Sequence, residues 1–206
     1  MANLITLARL PLLILIVGLF ASPSPVARLI TVPLLVLLIV MDTLDGMVAR
    51  RRHEVSLMGS VLDIVVDRAV ELVLWVCYGY YRLIPLAIPI IYILRGTIVD
   101  GLRSVGVSEG QAPFKTLRTD VGKWLVGSPW MRSSYGITKG FAFGFLAITH
   151  ALNAYVARNA AAPSTASTLG ILANVLSWVA VALCLARGLP VVVEALPRLR
   201  PQQPGA

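Results

Sequence analysis

Long apolar runs, interrupted by a few polar positions, set the pattern of this chain. Six stretches approach the roughly 20 apolar residues that carry a helix across the hydrocarbon of a bilayer. They are about Leu4–Ala21, Val26–Arg50, Ser56–Tyr81, Ile84–Val105, Ser134–Tyr155 and Ser167–Arg187. The run SPSP, Ser22 to Pro25, ends the first, because proline lacks a backbone donor and restricts the residue before it. ARNAAAPSTAS, between the fifth and sixth, reads as a polar turn. No internal repeat stands out. The pattern predicts an all-α integral membrane protein with six transmembrane helices. One transmembrane domain covers residues 1–190, and a disordered tail covers 191–206, where the chain ends in RLRPQQPGA.

Composition agrees with the pattern. Of 206 residues, 57% are hydrophobic and 14% charged, against about 25% charged in a soluble domain. Mean hydropathy is +0.81. The net charge is +8, but no basic stripe interleaved with aromatics is present, so nucleic acid is not an expected partner. Anionic lipids of the bilayer or phosphorylated substrates are. Cys77 and Cys184 lie in apolar runs and read as buried thiols.

The placement of basic residues predicts orientation. Arg50, Arg51 and Arg52 follow the second helix. Lys115, Arg118, Lys123 and Arg132 lie between the fourth and fifth, and Arg187, Arg198 and Arg200 near the end. With six spans all three groups share one face, while Arg28, Arg82 and Arg158 occupy the other. Both termini are then cytoplasmic, with the protein in the cell (inner) membrane. Trp124 and Trp130 suit a segment lying at the interface, as a surface anchor or a lid.

The polar exceptions inside the apolar runs carry the chemistry. Asp42, Asp45, Gly46 and Ala49 fall at i, i+3, i+4 and i+7, one face of a helix. Asp63 and Asp67 lie one turn apart on the next helix, with Gly59 a turn earlier. A short connection makes the two helices antiparallel neighbours, so their acidic faces can meet near the cytoplasmic end. Each aspartate near the bilayer centre costs about 2.5–3.5 kcal/mol on insertion scales. Basic residues close in sequence are too few to neutralise four of them. Two divalent cations would do so, and all-oxygen ligation suits Mg²⁺ or Mn²⁺. Gly46, Ala49 and Gly59 allow close approach, either of a ligand or of a packed helix. Arg50 is placed to meet a phosphate, whereas Arg51 and Arg52 read as topology signals.

These residues also carry a resemblance. DTLDGMVAR, eight residues, then GSVLDIVVD is similar to the D-x-x-D-G-x-x-A-R…G-x-x-x-D-x-x-x-D signature of the CDP-alcohol phosphatidyltransferases at every defined position. The resemblance implies a six-helix membrane enzyme, homodimeric, that transfers the phosphatidyl group of CDP-diacylglycerol to an alcohol and releases CMP. By similarity Asp42, Asp45, Asp63 and Asp67 hold two divalent cations, Mg²⁺ or Mn²⁺, and Asp67 is the catalytic general base. Asp42, Asp45, Gly46, Ala49, Arg50 and Gly59 contact the CDP moiety. Two metals about 3.5–4 Å apart can bridge a diphosphate, and a neighbouring carboxylate can take the proton of an attacking hydroxyl.

Further elements resemble the phosphatidylglycerophosphate synthase branch. NLITLAR matches N-x-x-T-x-x-R at Asn3, Thr6 and Arg9, which argues that this signal-like segment belongs to the mature protein. RGTIVDGLR matches R-E-x(6)-R at Arg95 and Arg103, with Gly96 in the acidic position. GITK matches G-K-x-K at Gly136 and Lys139, with Ile137 replacing a lysine. Arg95, Arg103 and Lys139 would form a basic pocket for the phosphate of a small phosphorylated alcohol, glycerol 3-phosphate first and inositol phosphate second. Arg103 and Lys139 can instead be read as interfacial snorkelling residues. Ile64 stands where that branch has a proline. Glu71 and Asp100 either bond acceptor hydroxyls or pair with Arg68 or Arg95, the pairing being preferred. His53 reads as solvated and His150 as interfacial.

Two rival classes make different predictions. A cation or proton-coupled transporter would spread its carboxylates along a path and show an inverted repeat. A structural subunit would be indifferent to divalent metal and to CDP.

Overall fold

The computed structural model describes the backbone of residues 2–51, 57–108, 124–125 and 127–195. Side chains are described at 4–44, 58–59, 61–102, 124–125 and 127–195. Among these residues the protein is all-helical: α1 (Ala2–Ala21), α2 (Pro25–Arg51), α3 (Leu57–Tyr80), α4 (Ala87–Ser108), α5 (Pro129–Val156) and α6 (Pro163–Ala195). Each predicted helix has its counterpart. α5 begins five residues before the expected Ser134, because Pro129 supplies a pre-set φ in the first turn and has no amide to leave orphaned. α6 continues past Pro190 to Ala195. Val191, Val192 and Val193 prolong its apolar run, and lipid tolerates a helical proline where neighbours re-satisfy the freed carbonyl. Residues 191–195 are therefore helical rather than a disordered tail; 196–206 lie outside the described residues.

α1 over Leu4–Ala21, α2 over Pro25–Leu44 and α6 over Pro163–Ala195 are long and apolar enough to cross a membrane, with mean hydropathies of 2.4, 2.1 and 2.2. α3, α4 and α5 have 24, 22 and 28 residues but carry charged residues along their length, among them Asp63, Asp67, Arg68, Glu71, Arg95, Asp100 and Lys139, which lowers their hydropathy. Large apolar side chains face outward on all six helices, among them Ile14, Val36, Ile64, Ile90, Phe141 and Ile171. Water would not accept such a continuous apolar surface, whereas lipid does.

The principal helix contacts close a ring. α1 packs on α2, α2 on α5, α5 on α6, α6 on α4, α4 on α3 and α3 back on α1. Inside it lies an aromatic core. Trp75 stacks on Tyr92 at 4.8 Å and meets Phe143 edge-on at 4.7 Å. The buried Tyr78 hydroxyl donates to the Phe143 carbonyl at 2.9 Å, satisfying a phenol that would otherwise be costly here.

The short α1–α2, α3–α4 and α5–α6 turns share one end of the ring. Arg82 and Asn159 there adopt φ of 55° and 56°. Arg158 donates to the Pro23 carbonyl at 3.1 Å, tying two of these turns together. His150 is not interfacial as expected. It is 4% exposed, with Nε2 3.1 Å from the Phe20 carbonyl and its ring against Phe20 and Tyr81. The aromatic pocket and this backbone partner outweigh its polarity. The opposite end of the ring receives the C-terminal parts of α2, α4 and α6 and the N-terminal parts of α1, α3 and α5.

Candidate functional site

α1 touches both α2 and α3, and its Arg9 enters between them. Arg9 is 3% exposed. Its Nη1 lies 2.6 Å from Asp42 Oδ1 and 3.8 Å from Asp63 Oδ1, and its Nη2 donates to Asp67 Oδ1 at 2.7 Å. A planar guanidinium suits this task because its fork can hold two carboxylates at once and does not lose its charge. Asp42, Asp63 and Asp67 each offer a carboxylate oxygen within 4.8 Å of the others. Three hard oxygen donors so close together fit a divalent cation of the Mg²⁺ or Mn²⁺ type. The predicted meeting of the α2 and α3 acidic faces is thus observed for these three. Asp45, Gly46, Ala49 and Arg50 lie on the last turns of α2, where their side chains are outside the described residues. Gly59 lies in the first turn of α3, on the Asp63 side.

A second polar cluster begins one turn further along α3. Glu71 is 5% exposed and accepts from three donors on two helices. Arg68 Nη1 is 3.0 Å from its Oε2, Lys139 Nζ is 3.2 Å from its Oε1, and the Tyr135 hydroxyl donates to the same Oε1. Arg68 also reaches Asp100 on α4, Nε to Oδ2 at 3.1 Å and Nη2 to Oδ1 at 3.3 Å. Glu71 and Asp100 therefore pair with Arg68, and the extra donors make a buried carboxylate affordable in this setting. Gly96, which replaces the acidic residue of the branch motif, packs beside Arg68: a Cβ there would make ordinary contact with Arg68 Cδ at 3.6 Å.

Arg95, about one turn before Asp100 on α4, faces α6. A Cβ on Gly188 would lie 2.7 Å from Arg95 Nε and 3.0 Å from its Cγ, so this arginine lies flat on bare helix backbone. Beside it, Arg187 places its guanidinium carbon 5.5 Å from the centre of the Tyr135 ring, while Lys139 Nζ stands 5.2 Å from the same centre. The Nε atoms of Arg95 and Arg187 are buried and have no hydrogen-bond partner among the described residues. The Arg103 side chain lies outside the described residues.

One cavity of about 230 Å³ joins the two clusters. Arg9, Asp42 and Asp67 border one side and Glu71, Gly136 and Lys139 the other, with walls from Leu35, Leu38, Val70, Leu74 and Phe143. Lys139 thus reaches the space beside Asp67, whereas Arg95 is not among the residues lining it. Ile137, where the branch motif has a lysine, is 59% exposed and turned outward. Sequence reasoning treated Arg9 as a motif match alone and assigned Arg187 to topology; it did not single out Tyr135. The signal for Arg9 was available, since a lone arginine inside a 20-residue apolar helix requires a buried partner.

No individual curated protein matches the sequence. The family model described as CDP-alcohol phosphatidyltransferase matches residues 1–186, a stretch that contains the whole aspartate cluster and the whole Glu71 network. The chain therefore belongs to the CDP-alcohol phosphatidyltransferase family and is a phosphotransferase.

Proposed function

We propose that the protein transfers the phosphatidyl group of CDP-diacylglycerol to glycerol 3-phosphate, as the phosphatidylglycerophosphate synthase branch does, and releases CMP. The observation that carries this reading is the single cavity linking Asp42 and Asp67 to Lys139. It gives an acceptor a place where its hydroxyl meets a carboxylate base and its phosphate meets a cationic side chain. Charge supports a phosphorylated acceptor. Arg68, Arg95, Lys139 and Arg187 outnumber Glu71 and Asp100 by two positive charges, and a phosphate monoester carries about −1.5 to −2 at neutral pH. Size supports a small one: 230 Å³ lies below the roughly 300–1,000 Å³ of ordinary ligand sites.

Asp42, Asp45, Asp63 and Asp67 would hold two divalent cations, Mg²⁺ or Mn²⁺, which supply charge neutralisation to the diphosphate when bound. Asp67, at the cavity edge, takes the proton of the acceptor hydroxyl. The acceptor oxygen forms a bond to the lipid-side phosphorus while the bond from that phosphorus to the CMP oxygen breaks, and CMP leaves with the electron pair. Gly46, Ala49, Arg50 and Gly59 bind the CDP moiety. Lys139, Arg95, Arg103 and, from α6, Arg187 hold the acceptor phosphate. Leu35, Leu38 and Phe143 keep water from the attacking oxygen. Six spans with both termini cytoplasmic put this end of the ring at the cytoplasmic face, where CMP and acceptor exchange, and the working unit is a homodimer.

Purified protein with CDP-diacylglycerol and Mg²⁺ is expected to release CMP with glycerol 3-phosphate. Silence with glycerol 3-phosphate and turnover with inositol phosphate would replace the acceptor; metal-independent behaviour with no CMP from any alcohol would remove the enzymatic reading of this site.

A further inference from the structure

The aspartate cluster already contains a cation belonging to the protein. Arg9 bridges Asp42 and Asp67 at 2.6 and 2.7 Å and stands 3.8 Å from Asp63. It is 3% exposed, so water does not screen it, and a guanidinium stays charged at every accessible pH. It arrives from α1, a helix outside the aspartate motif, and the packing of α1 on both α2 and α3 holds it in place.

Counting charge gives Arg9 a consequence. The four motif carboxylates bring four negative charges and Arg9 returns one. A first divalent cation leaves the cluster one charge negative. A second would make it one charge positive and would have to sit against the buried Arg9 guanidinium, which repels it, although the side chains of Asp42, Asp63 and Asp67 are themselves 40%, 48% and 51% exposed. The diphosphate of a bound nucleotide brings negative charge and reverses that balance. Without Arg9 the carboxylates alone would balance two divalent cations.

We propose that Arg9 is a positioning residue that orders the filling of the site: one divalent cation binds the resting enzyme, and the second binds tightly only together with the CDP diphosphate. This inference rests on the two-cation reading above and goes beyond it in saying when each ion binds and which side chain decides. It also implies that an ion carried in with the substrate completes the site, so the enzyme without nucleotide is held one cation short.

Mn²⁺ titration of the full-length detergent-purified protein, following free Mn²⁺ by electron paramagnetic resonance, tests this with and without CDP. The wild-type chain is expected to take one Mn²⁺ with a second at least about tenfold weaker, and CDP is expected to close that gap. Arg9→Gln is expected to take two Mn²⁺ of similar affinity without CDP, and Arg9→Lys, which keeps the charge, to restore the gap. Two equal sites in the wild-type chain without CDP overturn the proposal, as does an Arg9→Gln protein that keeps the wild-type gap. The wild-type titration decides even if the glutamine variant does not fold. Absence of Mn²⁺ binding with and without CDP removes the two-cation reading and this inference together, whereas equal sites remove the inference alone.

Discussion

Gly188→Ala offers a sharp test of the acceptor pocket because it moves Arg95 without touching its charge. The new Cβ would sit 2.7 Å from Arg95 Nε, 3.0 Å from Cγ and 3.4 Å from Cδ. Ordinary contact starts near the last of these values, so Nε must retreat by about 0.7 Å and the guanidinium beyond it by about 1 Å. The helix backbone cannot yield as cheaply as the side chain, since both neighbours of Gly188 sit in a packed α6. A misplacement of about 1 Å in a positioning group can cost around 10²-fold. The expected result is an acceptor KM raised about 10- to 100-fold, with the KM for CDP-diacylglycerol within about twofold of wild type. Fold stability should not fall with it, because Gly→Ala inside a helix gains roughly 0.5–1 kcal/mol from the unfolded chain. Gly170→Ala on the same helix is the control: its Cβ meets only Thr149 Cγ2, at 3.4 Å. Steady-state CMP release with each substrate varied in turn provides the assay. An unchanged acceptor KM in the Gly188 variant would refute the assignment of Arg95 to the acceptor phosphate. An equal rise in both KM values would show a general distortion instead.

Other expected outcomes follow from the same geometry. Asp67→Asn should lower turnover by about 10²- to 10⁴-fold, the usual contribution of a positioned base; substantial residual CMP release would dismiss it as that base. Glu71→Gln leaves Arg68, Lys139 and Tyr135 around a neutral group and should cost about 3–5 kcal/mol, read as a lower melting temperature in detergent together with weaker acceptor binding. Tyr78→Phe removes one buried hydrogen bond, so a loss of about 0.5–1.5 kcal/mol with unaltered substrate KM values is expected, and a change in acceptor KM would mean that the aromatic core reaches the pocket. Chelation by EDTA should stop CMP release and added Mg²⁺ or Mn²⁺ restore it; persistence of turnover in EDTA would contradict the proposed cation role.

The helices were legible because each is a local statement. An apolar run of the right length predicts its own helix, and all six runs became helices, most edges shifted by five residues or fewer and the last helix extended from Arg187 to Ala195. The shifts have local causes that an apolar count overlooks. Pro129 begins a helix early, and three valines after Pro190 carry one on past the expected end at Arg187. His150 was misread for a different reason. Its surroundings are Phe20 and Tyr81, 130 and 69 positions away in the chain, so no inspection of its own helix could reveal an aromatic pocket. The ring order that makes those encounters depends on which helix faces which, and every apolar run looks alike to its neighbours.

The same division runs through the site. Asp42, Asp63 and Asp67 could be grouped in advance because helical spacing and one short loop bring them together. That Arg9 needs a buried partner was legible, but that the aspartates are the partner was not, since 58 positions separate it from Asp67 and α1 must first wedge between α2 and α3. What α3 alone does specify is the separation of the two clusters. Asp67 and Glu71 stand at i and i+4, about 6 Å apart along the helix axis at about 1.5 Å per residue. Lys139 is held by Glu71 at 3.2 Å and lines the same cavity as Asp67. An extended three-carbon chain ending in a phosphate ester spans about the same length between its far hydroxyl and its phosphorus, five bonds of ordinary size. Because Glu71 fixes where Lys139 is held, a substitution that shifts Glu71 relative to Asp67 should, on the proposed reading, alter which alcohol is accepted before it alters how CDP is bound.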